Sequence, residues 1–231
     1  MQLHNDTIDI LKNFALINPS IAFTPGNDLQ TIAPSKIILA KAKIKDSWPT
    51  SGAIYDLSRF LGVISLFEKP EFDFTETQVI IKGSTQTVNY TFADSSMILT
   101  PPTDKDLYID KPDIDLDIPG SKITAVLKAA AVLQLPEVAL MCDGSMVYLQ
   151  VLDSQNPSSD DYKQELQTWN NQSTFRIIFG TENFKMMPYD YNLKIESHKD
   201  GGRIAQFTCL SDKRPGLVYW VATKLNSTFG E

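Results

Sequence analysis

The sequence predicts an α+β protein of two similar domains, each with two helices packed on antiparallel β-sheet. Three observations predict it. Four stretches place apolar residues at helical spacing. Many short runs alternate apolar and polar residues between Gly, Pro, Asn and Asp turn signals. The order helix, strands, helix, strands occurs twice in 231 residues, a length that gives two small domains a core each.

The first helix runs from Thr7 to Ile17, with Asp6 as its N-cap and Asp9 in the first turn, where the helix dipole favours an anion. Ile10, Leu11, Phe14 and Ile17 form its apolar face, Asp9, Lys12 and Asn13 lie opposite, and Pro19 ends it. Strands follow at Ile21–Phe23, Leu29–Ile32 and 37–45, with a turn at Pro25-Gly26-Asn27-Asp28. Lys41, Lys43 and Lys45 alternate with Ala42 and Ile44, the pattern of a solvated outer face. The second helix, Tyr55 to Phe67, gathers Leu57, Phe60, Leu61, Ile64 and Phe67 on one face and Ser58, Arg59, Gly62 and Ser65 on the other. That second face is slim and mildly basic. An ordinary solvated face mixes Glu with Lys. Strands at Glu71–Phe74, Gln78–Lys82 and 85–92 complete the first domain, residues 1–100, with Gly83-Ser84 as a hairpin turn.

Residues 101–113 change in composition. Pro101, Pro102 and Pro112 interrupt them, and Asp104, Asp106, Asp110 and Asp113 make them acidic, as in an extended connector. Leu107, Tyr108 and Ile109 within it either pack on a neighbour or form a docking strip.

The second domain, 114–231, opens with a strand at Ile114–Ile118 and a helix from Ser121, its N-cap, to Gln134. Ile123, Val126, Leu127, Ala130 and Leu133 form the buried face, with Thr124, Ala125, Lys128 and Ala131 opposite. Strands at 137–142 and Met146–Leu152 meet at the hairpin signal Asp143-Gly144. After a polar loop, 162–169 and 174–179 read as a further strand pair, and Thr181 to Met187 as a short helix stopped by Pro188. Strands at 191–196, 203–210 and 217–222 close the chain, with turns at Asp200-Gly201-Gly202 and Pro215-Gly216.

The two halves also match in detail. Ile10-Leu11-Lys12 corresponds to Val126-Leu127-Lys128, Pro19-x-Ile21-x-Phe23 to Pro136-x-Val138-x-Leu140, and Ile54-Tyr55 with Phe60 to Ile178-Phe179 with Phe184. Their common order points to duplication. Each helix carries one or two cations off its apolar face: Lys12, Arg59, Lys128 with Lys122, and Lys185. Scattered lysines are ordinary on soluble helices. Four in duplicated positions suit a surface that touches phosphates sparsely and reads no bases.

Several function classes are excluded or left without support. A net charge of −7 argues against a simple basic nucleic-acid binder, although not against charge segregated between surfaces. No apolar run approaches the ~20 residues that span a bilayer. Met1 to Asp6 has neither the cationic nor the apolar part of a signal peptide, so glycosylation-like triplets at Asn5, Asn89, Asn171 and Asn226 read as chance. Cys142 and Cys209 then read as free thiols, a disulfide being the other possibility, and two histidines, His4 and His198, leave little for zinc. Phosphate-cradling glycine loops, HExxH, paired cysteine ligands and a nucleophile elbow are absent, so neither cofactor nor enzymatic activity is expected. Asp113, Asp115 and Asp117 alternate along a strand and could share a face to hold Mg²⁺, but solvated edge charges are the commoner meaning.

Three segments resemble the sliding clamps, the DNA polymerase processivity factors, of T-even-type bacteriophages. They are Asp6-Thr7 through Leu11-Lys12-Asn13-Phe14-Ala15-x-Ile17-Asn18, then Ala53-Ile54-Tyr55-Asp56-Leu57-x-x-Phe60-Leu61-Gly62-x-x-Ser65-Leu66, and Lys185-Met186-x-Pro188-x-x-Tyr191-x-Leu193. They stand in the family's order and nearly at its spacing. The connector, the 153–161 loop and the C-terminus match poorly.

The resemblance implies a DNA-clamp fold, with three subunits closing head-to-tail into a homotrimeric ring around double-stranded DNA, helices inside and sheets outside. Such a protein works without sequence specificity in the cytoplasm of the infected bacterial host, away from membranes. It tethers the replicative polymerase, and polymerase and clamp loader dock through C-terminal peptide tails in an apolar pocket. On this sequence the implied DNA-facing residues are Lys12, Arg59, Lys122, Lys128 and Lys185. The candidate docking residues are Leu107, Tyr108, Ile109, Tyr219 and Trp220, the last two being equally natural as strand packing residues. A compact chain of this size has a radius of gyration of about 17 Å, too small to enclose a duplex alone. Edge strands must then pair between copies, with 85–92 and 162–169 as candidates. Two competitors remain. One is a β-rich phage structural or assembly protein without DNA function. The other is an acid/base enzyme using the Asp113–Asp117 strand.

Overall fold

The computed structural model describes residues 1–102, 107–171, 173–197, 203–214 and 216–230. Asp104 and Asp106 of the expected connector, His198, the Asp200-Gly201-Gly202 turn and Pro215 lie outside the described residues. The chain forms two compact units, Met1–Asp106 with Arg214–Leu217, and Leu107–Lys213 with Val218–Glu231.

In the first unit, helix α1 (Asn5–Ile17) begins two residues earlier than the periodicity predicts. Its cap is His4, whose Nδ1 accepts from the Asp6 N–H, and not Asp6, whose carboxylate is held by Lys45 and Arg214. Asn13 is buried with Thr7, Ile10, Leu11, Phe14 and Ile17, so the α1 core face is broader than its apolar residues suggest. Strands β1 (Ile21–Phe23) and β4 (Gly52–Ile54) pair antiparallel, as do β2 (Gly26–Ile32) and β3 (Ile38–Trp48). The expected Pro25–Asp28 turn is thus partly strand: β2 starts at Gly26 and absorbs the bend as an irregularity between Gly26 and Asp28. Phe23 stacks on Trp48 at 4.6 Å between centroids, with Phe74 edge-on to both.

Helix α2 spans Leu57–Ile64, shorter than predicted at both ends. The Asp56 carboxylate accepts from the Arg59 N–H at 2.8 Å and fixes the start, because Gly52–Ile54 is committed to the β1 ladder. Leu57, Phe60 and Ile64 are buried, with the Phe60 ring edge-on to Tyr90 at 5.0 Å. Strands β5 (Glu71–Phe74), β6 (Gln78–Lys82) and β7 (Thr87–Thr91) form an antiparallel sheet in that order.

The second unit begins with β8 (Ile114–Ile118) and α3 (Gly120–Leu133). The helix starts before Ser121, and its N-cap Pro119 offers no side-chain bond. Asp190 supplies one from a distance in sequence, its Oδ1 accepting from the Gly120 N–H at 2.7 Å. A Cβ on Gly120 would collide with the Tyr189 backbone carbonyl, so the close approach requires glycine there. Leu133 lies past the last buried position, Ala130, because Gln134 turns left-handed (φ 54°) and ends the helix.

Strands β9 (Glu137–Asp143), β10 (Met146–Leu152), β11 (Tyr162–Thr168) and β12 (Thr174–Gly180) form a sheet in the order β11-β10-β9-β12, extended by β16 (Thr228–Phe229). The predicted pair β11 with β12 does not exist: β11 pairs β10, and β12 pairs β9. The hydrophobic run of β12 needs burial on both faces, which an interior position supplies. Strands β13 (Tyr191–Ser197), β14 (Arg203–Cys209) and β15 (Val218–Ala222) form a second antiparallel set with β8 on the far side of β13. The α3 residues Ile123 and Val126 meet both sets in a core shared with Leu140, Leu149, Leu193 and Phe207. Cys142 is buried, Cys209 is half-buried, and neither forms a disulfide.

The expected helix 181–187 is the main departure. It is a single 3₁₀ turn, Thr181–Asn183. Phe184 leaves helical geometry to pack its ring against Phe179 and Phe207 at 5.4 and 6.0 Å. The backbone of Met187 bonds to core hydroxyls instead of helix partners: its carbonyl accepts from Tyr191 at 2.7 Å, and its N–H donates to Tyr219 at 3.3 Å. Among the described residues the second unit therefore has one α-helix and the first has two.

The duplication shows in the pairing. In the first unit β1 with β4, β2 with β3, and β5-β6-β7 mirror β9 with β12, β10 with β11, and β13-β14-β15 of the second. Even β8 has a counterpart. The Met1 ammonium donates to the Phe72 carbonyl and the Phe72 N–H to the Met1 carbonyl, which places the chain start on β5 as β8 lies on β13.

Candidate nucleic-acid interface

The three helices bury one face each, and what remains outward is the candidate surface. Successive helical residues turn by about 100°, so burial fixes which side chains stand at the centre of the outward face and which on its flanks. On α1 the centre is Lys12, with Asn5 and the 63% exposed Leu16 one or two turns away. On α3 it is Lys128, with Ser121 and the 73% exposed Val132. Lys12 and Lys128 are the pair matched by the internal repeat, so the duplicated helices present the same cation at the same place. On α2 the centre is Ser58 and Gly62, both exposed, and a Cβ on Gly62 would meet nothing within 4 Å.

The other cations behave differently. Arg59 is exposed, but it lies on the flank of α2 turned toward β7, in a groove shared with Tyr55, Val63 and Tyr90. Lys122 is half-buried, and its Nζ donates to the Glu165 carbonyl of β11 at 3.2 Å. Lys185 follows the 3₁₀ turn, so it stands on no helix face, and it is half-buried. Of the predicted set, Lys12 and Lys128 alone occupy outward helix centres.

Carboxylates near α1 are neutralised from below. Asp6 accepts from Lys45 and from Arg214, both at 2.6 Å, and Arg214 reaches Asp9 at 3.3 Å. The Lys45 and Arg214 hydrogen bonds hold the Asp6 carboxyl at about 2 instead of 3.8. Asp9 also lies 3.9 Å from Lys12. The Lys45 of the predicted solvated face is therefore engaged, and Arg214, with a side chain 8% exposed, was invisible to sequence reasoning because its partners lie some two hundred residues away. The available signal was weak: an arginine beside a Pro-Gly turn.

Among the predicted docking residues, Tyr108 is 68% exposed and Leu107 39% exposed, but Ile109 is buried. Tyr219 is fully buried and its hydroxyl serves Met187, so its side chain is not available to a partner. Burial pushes that hydroxyl's pKa far up. Trp220, its neighbour across the strand, is half-buried. Asp115 and Asp117 both accept from the Asn192 amide at 2.8 and 2.9 Å, and Lys194 lies 3.9 Å from Asp115. Among the described residues no group of three or more His, Cys, Asp or Glu side chains is placed to hold a metal ion. Among the same residues no helix is long and apolar enough to cross a membrane.

Each unit also exposes a strand edge. In the first, β7 has β6 on one side and no ladder on the other, and in the second the same holds for β11 beside β10, among the described residues. Such edges are open templates for another strand.

No protein-family model matches the chain. It is 28% identical to the protein named Sliding clamp of Vibrio phage KVP40 over 228 residues, covering 97% of this chain and 99% of that one. It is 29% identical to the Sliding clamp of Escherichia phage RB69 over 84% of this chain and 87% of the relative, and 28% identical to that of Enterobacteria phage T4 over 84% and 86%. Among solved structures it superimposes on Proliferating Cellular Nuclear Antigen from Entamoeba histolytica with a TM-score of 0.67 at 13% identity, covering 94% of both chains. The PCNA2-PCNA3 complex from Sulfolobus tokodaii gives 0.65 at 13%, covering 96% of this chain and 97% of that one. The H. pylori Beta clamp gives 0.68 at 12% identity, and there 94% of this chain covers 63% of the longer protein. The chain shares the fold of these clamps.

Proposed function

We propose that this chain is a sliding clamp: a ring-forming protein that encircles duplex DNA and holds the replicative polymerase to its template in a phage-infected bacterium. The observation that carries this is the pair of duplicated outward helix faces, centred on Lys12 and Lys128, in a chain similar over nearly its whole length to phage sliding clamps.

The mechanism is topological. A ring needs no grip on any base, so a few phosphate contacts suffice, and more would add salt-dependent affinity and slow sliding. Lys12 and Lys128 are the proposed contacts, with Ser58 and Gly62 leaving the outward face of α2 slim. The net charge of −7 belongs to the rest of the surface, where it repels DNA and leaves the helix-lined interior as the favoured place.

Three copies close the ring, each offering β7 to the β11 of the next. A contact between unlike surfaces that closes on itself satisfies every edge. Polymerase and clamp-loader tails dock on an apolar surface for which Leu107 and Tyr108 are the exposed candidates. A phage assembly module without DNA function predicts neither ring nor topological retention.

Native mass spectrometry at micromolar concentration tests the assembly. The expected species is three times the 25.8 kDa chain mass. A monomer throughout the micromolar range would remove the ring from the proposal.

A further inference from the structure

Helices α1 and α3 end against the preference of their own dipoles. The last turn of a helix carries the negative end of the dipole and favours a lysine or arginine. Neither α1 nor α3 has a basic residue in its last turn. At the centre of the outward face, where such a cation would stand, are Leu16 and Val132, one turn past Lys12 and Lys128. Both are largely exposed, so packing in the core does not hold them there.

The placement is duplicated. The separation in sequence that links Lys12 to Lys128 also links Leu16 to Val132, and Asn5 to Ser121. Each outward centre thus runs from a neutral polar residue, through one cation, to one aliphatic group. Helix preference does not account for the last of these: at an exposed position lysine, arginine and glutamine match leucine and exceed valine. Helix α2 carries Ser58 and Gly62 at the same spacing, and its last turn also lacks a basic residue.

We propose that Leu16 and Val132 hold α1 and α3 to a single phosphate contact each, so that the protein slides where a second cation would make it grip. The proposal rests on the clamp reading and adds two residues that act by withholding a contact. Four helical residues rise about 6 Å, and duplex DNA carries one charge per about 1.7 Å of its axis. A cation at position 16 or 132 would therefore reach a second phosphate while Lys12 or Lys128 held the first. Each step along the duplex would then require both contacts to release. Leucine and valine offer a phosphate neither charge nor hydrogen bond, and the dipole end behind them repels it.

The test is Leu16→Lys combined with Val132→Lys in the full chain. Both changes follow helix preference and the dipole, so the variant should melt no lower than wild type and keep the native mass. Binding of unloaded protein to linear duplex across a salt series should show log affinity falling more steeply with log salt, by about 0.9 for each added phosphate contact. Single-molecule tracking of loaded clamps should show diffusion slowed by roughly threefold or more at low salt, recovering as salt rises. Leu16→Gln combined with Val132→Gln, polar but uncharged, should keep the wild-type salt slope and diffusion.

A Lys variant with wild-type slope and diffusion would overturn the proposal, while wild-type retention on circular duplex would leave the clamp reading standing. A Gln variant slowed as much as the Lys variant would also overturn it, because the apolar surface and not the missing charge would then be at work. Loss of the native mass in the Gln variant would assign the two residues to assembly instead. Wild-type protein lost equally from circular and linear duplex would refute the clamp reading itself, and this proposal with it.

Discussion

Replacing Asp6 with Asn removes the centre of the ion cluster that joins α1, β3 and Arg214. The carboxyl is held at about 2 instead of 3.8, a difference corresponding to roughly 2.4 kcal/mol at neutral pH by linkage. Solvent reaches 26% of the Asp6 side chain, and screening brings the expected loss to about 1–2 kcal/mol. Arg214, 8% exposed, would lose its 2.6 Å carboxylate partner while Asp9 stays at 3.3 Å, which places the cost toward the upper end. In a chain of this length the melting temperature should fall by about 2–8 °C. Because the folded-state pKa is lowered, the stabilisation is complete above the unfolded value of 3.8 and is lost as pH falls toward 2. The gap between wild type and Asp6→Asn should therefore be constant from pH 7 to 5, shrink to about half by pH 3, and close near pH 2. Scanning calorimetry across that range, at matched protein concentration because assembly also shifts melting, gives the answer. A gap that is absent at pH 7, or that persists unchanged at pH 3, would refute the cluster as drawn.

Lys12→Glu combined with Lys128→Glu should leave the native mass unchanged while shortening polymerase run length and the lifetime of loaded clamps on circular DNA. Wild-type run length in that variant would show that the outward helix centres are not the DNA face. Asp190→Ala should cost about 1 kcal/mol by unsatisfying the start of α3, read as a lower urea midpoint with an unchanged slope. Gly62→Ala should stabilise the chain by about 0.5–1 kcal/mol, because a helix-interior glycine gives way to alanine where the new Cβ meets nothing within 4 Å. Its DNA retention should match wild type.

Much of the fold was legible because its signals are local. Ile21–Phe23, Glu71–Phe74, Gln78–Lys82, Ile114–Ile118 and Met146–Leu152 are short runs rich in strand-forming residues, and each strand has the predicted bounds. Asp143-Gly144 makes the expected hairpin, its carboxylate accepting from Ser145 and Met146 N–H groups while Gly144 takes a positive φ of 96°. What failed depended on distant partners. Thr181–Met187 carries helical spacing, but Tyr191 and Tyr219 take the Met187 backbone groups that a helix would have used. Asp6 looks like a cap until Lys45 and Arg214 claim it. The α3 cap, Asp190, lies 70 residues away.

The candidate surface divides in the same way. Lys12 and Lys128 could be found from the repeat alone, since duplication preserves a helix face. Arg59 is an exposed cation, as expected, and stands on the α2 flank beside β7 rather than at the centre of the outward face, because sequence periodicity gives a face but not what stands beside each flank. Tyr219 and Trp220 alternate along β15, so one had to point inward, and nothing local says which.

The central claim is that the protein acts by enclosing DNA rather than by gripping it. The direct measurement is retention of loaded wild-type protein on circular against linear duplex of equal length, at a salt concentration that strips sequence-independent contacts. The account predicts long-lived retention on the circle and rapid loss from the linear molecule, restored when both ends are blocked. Equal loss from both would contradict it.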